Sequence, residues 1–132
     1  MKRIIIASLF CATASLAETP MSGDAFDEYT RGKTLTFMEN GQAYGVEQYL
    51  SGKRVQWAFE NDECNYGRWY EDQPGLICFL YETAPNSPQC WNFFKTETGL
   101  RARFVDDEPG REIYEALSST QPMLCPGPEV GV

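Results

Sequence analysis

The chain of 132 residues carries 19 carboxylates, 11 lysines or arginines, five cysteines and no histidine. The missing imidazole excludes Ser–His and Cys–His nucleophile pairs and removes the commonest zinc ligand. Acid–base chemistry would therefore fall to carboxylates. Glu47, with Glu71 and Asp72 elsewhere, could supply the carboxylate pair of a small hydrolase. Asp106, Asp107 and Glu108 are clustered oxygens, but they lack the Asp-x-Asn/Asp-x-Asn/Asp-Gly spacing of a calcium loop and read as a solvated turn. Arg101 and Arg103 share one strand face, with Lys95 and Arg68 on neighbouring strands. Such a stripe could hold a carboxylate or phosphate, although paired glutamates are its ordinary company. No pattern implies a metal or another cofactor.

Thiol chemistry depends on the compartment. Lys2 and Arg3 precede an apolar run from Ile4 to Leu16, and Ser15 and Ala17 are small residues at the −3 and −1 positions of a cleavage site. Such a run is too short to span a bilayer as a helix, which needs about 20 residues. Residues 1–17 therefore read as a secretory signal peptide cleaved after Ala17, and 18–132 as one mature domain. Losing 17 residues leaves 115, and the formal charge moves from −8 to −10 as two bases depart. That charge excludes nucleic acid and anionic lipid as main partners. No second apolar span follows. Periplasmic or secreted is the expected location.

Cleavage also removes Cys11 and leaves Cys64, Cys78, Cys90 and Cys125. Four cysteines in a small exported domain read as two disulfides, with three possible connectivities. The strands around Cys78 and Cys90 turn near position 84, midway between them, so the two fall opposite each other. Cys64 then pairs with Cys125 by elimination.

The elements that must position these groups are mostly strands. Ser22 can cap a short helix that stops at Gly32, with Phe26 and Tyr29 facing inward. From Lys33 the apolar period is two. Asn40-Gly41 is a type I′ hairpin signal, which sets Phe37 opposite Tyr44 and Leu35 opposite Val46. Gly52-Lys53, read as a second two-residue loop, sets Leu50 opposite Val55, Gln48 opposite Trp57 and Val46 opposite Phe59. Gln48 is then the one polar residue on a shared apolar face. Further strands are expected at 64–71, 76–82, 89–95 and 100–104. An element near 113–117 completes the series, and a Pro/Gly-rich tail runs over the surface.

Seven or eight sequential antiparallel strands form a meander that must close to protect its edges. The predicted fold is a small up-and-down β-barrel or curved half-barrel with one N-terminal helix, the alternative being a two-sheet β-sandwich. Ile77, Phe79, Tyr81, Trp91 and Phe93 make one apolar face of the fifth and sixth strands, and Cys78, Leu80, Cys90 and Phe94 make the other. Both faces need cover.

Taken together, Gly32-Lys33-Thr34-Leu35-Thr36, Tyr44-Gly45-Val46-Glu47-Gln48-Tyr49, Gly67-Arg68-Trp69-Tyr70, Ile77-Cys78-Phe79 and Gln89-Cys90-Trp91 form a set. The set resembles the strand motifs of a family of small exported alphaproteobacterial proteins with no assigned function. The resemblance covers nearly all of the mature chain. It implies a periplasmic home and a shared β fold, and it carries over no catalytic residue.

The functional expectation is a non-enzymatic barrel that binds a small apolar ligand or an envelope protein, using a surface that includes Trp57, Trp69, Trp91, Arg101 and Arg103. The alternatives are the carboxylate-dependent hydrolase and a purely structural or inhibitory protein.

Overall fold

The computed structural model describes residues 11–12, 18–60, 62–106 and 110–125. Nearly all of the expected signal segment, Asn61, Asp107 and Glu108 of the acidic turn, and the end of the tail lie outside the described residues. Helix α1 (Gly23–Thr30) starts where Ser22 accepts a hydrogen bond from the Ala25 N–H. Its backbone turns away at Gly32, whose φ of +79° favours glycine.

Eight strands follow: β1 (Thr34–Glu39), β2 (Gln42–Tyr49), β3 (Arg54–Phe59), β4 (Asn65–Gln73), β5 (Leu76–Tyr81), β6 (Gln89–Thr96), β7 (Gly99–Phe104) and β8 (Glu112–Ser119). Each pairs antiparallel with the next, and β8 pairs back onto β1 to close the barrel. Closure leaves no open edge, as the meander required. Inward residues alternate with outward ones, so Leu35, Phe37, Val55, Trp57, Trp69, Ile77, Phe79, Trp91, Phe93, Leu100, Ala102 and Ile113 meet in one core.

The expected register of β2 needs correction. Asn40 and Gly41 do form the turn, with φ of +50° and +77°. A bulge then inserts Tyr44 between the pairs Met38–Ala43 and Phe37–Gly45, so Leu35 faces Glu47 rather than Val46. At the other end the turn through Ser51–Lys53 is one residue longer than two, so Tyr49 rather than Leu50 faces Val55. Each irregularity shifts the pairing by one residue, and together they flip β2 alone. Gly45, Glu47 and Tyr49 therefore point inward. Gln48 lies outside, where its side-chain oxygen accepts from the Met123 N–H of the tail.

Both disulfides form as expected. Cys78 and Cys90 are directly opposed on β5 and β6 and bonded to each other. The bond between Cys64 and Cys125 ties the tail across the outside of the barrel. No helix among the described residues is long and apolar enough to cross a membrane.

Candidate functional site

The two ends of the barrel are built differently. At the end formed by the β2–β3, β4–β5 and β6–β7 turns, α1 acts as a plug. Phe26 is fully buried, with ring centroids of Phe93, Trp69 and Tyr49 at 4.4, 5.0 and 5.6 Å. Burying such a ring contributes about 1.5–3 kcal/mol. Glu71 fastens the plug by accepting from the Gly23 N–H at 2.7 Å and the Gly75 N–H at 2.9 Å. Those amides hold its carboxyl below the usual range, Gly75 contributing most. The Tyr29 hydroxyl donates to Glu115 at 2.8 Å, and burial with that carboxylate pushes the phenol up to about 12.

Among the described residues the opposite end has no helix. A surface hollow of about 310 Å³ lies there, lined by Tyr44, Phe59, Pro88, Phe104, Asp106 and Arg111 among others. Beneath it runs a narrow cavity of about 30 Å³, room for one or two waters. Hollow and cavity share Tyr44, Phe59 and Gln89 as lining residues. The cavity continues down past Trp57 and Trp91 to Glu47, Tyr49 and Tyr81. In its upper walls Tyr44 meets Phe59 edge to face at 5.6 Å and Trp57 at a tilt at 5.5 Å between ring centroids.

Glu47 is the chemically distinctive group here. It is 2% exposed, and its hydrogen-bond partner is the Tyr81 hydroxyl, 3.1 Å from both carboxyl oxygens. A carboxylate can accept about four hydrogen bonds, and one phenol supplies a single proton. Among the described residues, no lysine or arginine lines the cavity. Burial therefore pushes the Glu47 carboxyl well above its usual range, and the Tyr81 bond opposes this only in part. Burial, then the neighbouring Glu47, pushes the Tyr81 phenol up as well.

The residues singled out from sequence separate in space. Trp57 and Trp91 line the cavity, whereas Trp69 packs against the Phe26 plug. Arg101 and Arg103 lie on the outside over the Phe94 ring, at 4.4 and 5.6 Å. There both pair with Glu112, and Arg101 also pairs with Glu18. They supply the cover that the outer face of β6 needed. Arg68 stands three strands away on β4, opposite Arg54 and Leu80, so the basic stripe is not continuous.

Glu47 and Glu71 do not converge either. Glu47 is level with Trp57, which faces Asn65 on β4. Glu71 lies six residues further along β4, about 20 Å at the usual strand rise. No group of three or more acids or cysteines among the described residues could hold a metal ion.

Sequence reading missed Tyr44, Tyr49, Phe59 and Tyr81 as companions of Glu47. The available signal was Gly45. A Cβ there would lie 2.4 Å from the Trp57 ring and 2.6 Å from the Ala58 carbonyl oxygen, so only glycine fits that inward position. The chain matches no family model, no curated protein and no solved structure.

Proposed function

We propose that this is a non-enzymatic binding protein that takes a small, largely apolar ligand at the unplugged end of its barrel. The observation that supports this reading is the asymmetry of the two ends. At one end α1 seals the core with Phe26, leaving a surface hollow lined by the polar residues Asp27, Arg31 and Lys53 among others. The other end has an aromatic hollow next to a cavity that reaches a buried carboxyl. Eight-stranded barrels are wide enough to hold one small ligand, and a hollow of about 310 Å³ is of the size such sites need. The absence of a converged carboxylate pair favours binding over hydrolysis. Two disulfides fit an oxidising compartment, and we extend this to export with cleavage after Ala17.

The test uses the uncharged fluorophore N-phenyl-1-naphthylamine with the disulfide-bonded protein. Saturable enhancement at one site per chain is expected, with a change in emission from Trp57 and Trp91. Phe59→Ala, which removes a wall of the hollow, should weaken it. A linear, unsaturable signal with unchanged tryptophan emission overturns the reading. Intact mass of protein recovered from the periplasm checks the cleavage site.

A further inference from the structure

We infer that the unplugged end is selective for a primary alkylammonium ion, with the –NH₃⁺ group in the narrow cavity at Glu47 and the alkyl chain in the aromatic hollow above it. The inference rests on the ligand-binding reading and adds the class of ligand. Three independent features of the site point to it.

The first is size. A cavity of about 30 Å³ accepts a group no larger than one or two waters, and an ammonium head is of that size. A trimethylammonium head is not.

The second is hydrogen-bonding capacity. The two oxygens of Glu47 face the single Tyr81 hydroxyl, so acceptor sites remain for a multiple donor, and an ammonium brings three.

The third is charge. The groups around Glu47 are Tyr49 on its own strand, Leu35 and Phe37 from β1, Trp57 from β3, Phe79 and Tyr81 from β5, Gln89 and Trp91 from β6, and Ile113 from β8. None is basic. The loops and strand ends at this mouth carry Glu39, Glu60, Asp62, Glu63, Glu82 and Asp106. The base lining the hollow is Arg111, which is ion-paired to Glu39 at 2.9 Å. Such a mouth attracts cations and repels carboxylates. The Tyr44 ring already carries the Arg111 guanidinium at 5.8 Å, so Trp57 and Trp91 are the cavity-lining rings that can add cation–π attraction.

Binding balances as a proton exchange. Below its raised pKa Glu47 is the neutral acid in the empty site; there the entering ammonium favours its carboxylate, and the proton goes to the buffer. Affinity then rises with pH, by up to about tenfold per unit, until either Glu47 of the empty site or the free amine loses its own proton.

Isothermal titration calorimetry with three six-carbon probes tests this: hexylamine, hexan-1-ol and hexyltrimethylammonium chloride. Each is titrated near pH 7 in two buffers of different ionisation enthalpy. Hexylamine should bind about tenfold or more tighter than hexan-1-ol, as a charge-assisted hydrogen bond implies, with proton release growing as the pH is lowered beneath the Glu47 pKa. Hexyltrimethylammonium should bind no better than the alcohol. Glu47→Gln should bring hexylamine and hexan-1-ol to the same affinity.

Equal affinities in the native protein, or tighter binding of the quaternary probe, would each overturn the assignment. So would a folded Glu47→Gln protein that keeps the amine preference. The three probes are compared on the native chain, so the outcome does not depend on that variant folding. If the naphthylamine probe saturates while hexylamine shows no preference, the amine assignment alone falls. If neither binds, the ligand-binding reading falls with it.

Discussion

Replacing Glu47 by glutamine keeps the shape of the side chain and removes its ionisable proton, which makes it a direct probe of the buried acid. In the folded chain the carboxyl is 2% exposed with no basic neighbour lining its cavity, and burial raises its pKa well above the usual value. In the unfolded chain it titrates near the ordinary value of about 4.3. An acid whose folded pKa is raised stabilises the fold fully below its unfolded pKa and loses that contribution as pH rises toward the folded pKa. Across that window the loss is about 1.4 kcal/mol per pH unit. Glutamine is neutral throughout and carries no such slope.

At pH 4 the variant should be no more stable than the native chain. It should be about 1 kcal/mol less stable if its amide protons find no acceptor. From pH 4.5 upward the difference should swing in favour of glutamine, by about 1.4 kcal/mol per unit until Glu47 ionises in the folded state. Urea unfolding of both ligand-free proteins at half-unit steps from pH 4 to 8, followed by tryptophan emission, measures this. Carboxyls held low, such as Glu71 and Glu112, act with the opposite sign, but both proteins contain them and they cancel in the difference. A difference that stays flat across the range refutes the buried neutral acid and the reasoning built on it.

Phe26→Ala should cost about 3–5 kcal/mol in urea unfolding, because its ring meets four others at the plugged end and α1 loses its anchor. A loss below about 1 kcal/mol would mean that α1 is peripheral. Replacing both Cys64 and Cys125 by serine opens a loop with a sequence separation of 61, worth about 4 kcal/mol in the chain-entropy model. An unchanged unfolding midpoint would show that the tail is not a constraint. Gly45→Ala should drive Trp57 and the Ala58 carbonyl out of place, lowering the unfolding midpoint and shifting tryptophan emission. Unaltered emission would contradict the contact.

Much of this architecture is legible in local chemistry. The Asn40-Gly41 turn, the alternation that turns Leu35 and Phe37 inward on β1, and the spacing of Cys78 and Cys90 about a turn near 84 are each set by neighbouring residues, and each is present in the structure. The barrel itself follows from eight sequential strands with no other way to cover their edges. The register of β2 is not legible, because it is set by a bulge and a three-residue turn that no local turn signal marks. Two regular turns gave an apolar face containing Val46 and Leu50, and they agreed with each other. That agreement was misleading: a bulge at Tyr44 and a longer turn at Ser51–Lys53 displace β2 from both ends at once, and β1 and β3 keep their faces. Trp69 was grouped with Trp57 and Trp91 for a related reason. Residue type alone does not tell which end of a barrel a ring occupies.

The flipped strand bears on function. An unbroken register would place Tyr44, Val46 and Gln48 inside and leave Glu47 in water, giving a core whose one polar group is a neutral amide. The actual strand spends a ladder pairing on the bulge, needs a glycine against Trp57, and buries an acid without a counter-charge. Each of these costs stability, and all three fall within Tyr44–Glu47, beneath the open end of the barrel. The plugged end shows nothing comparable. There the carboxylates of Glu71 and Glu115 each accept from backbone N–H, and Phe26 is fully buried among four other rings. Bulges re-aim side chains, and local violations of otherwise consistent packing concentrate where a protein meets its ligand. A chain under selection for barrel stability alone has a cheaper register available for β2. That the three costs fall together at Glu47 is what a site for a cationic ligand requires, since such a ligand would restore the missing charge and the missing donors together.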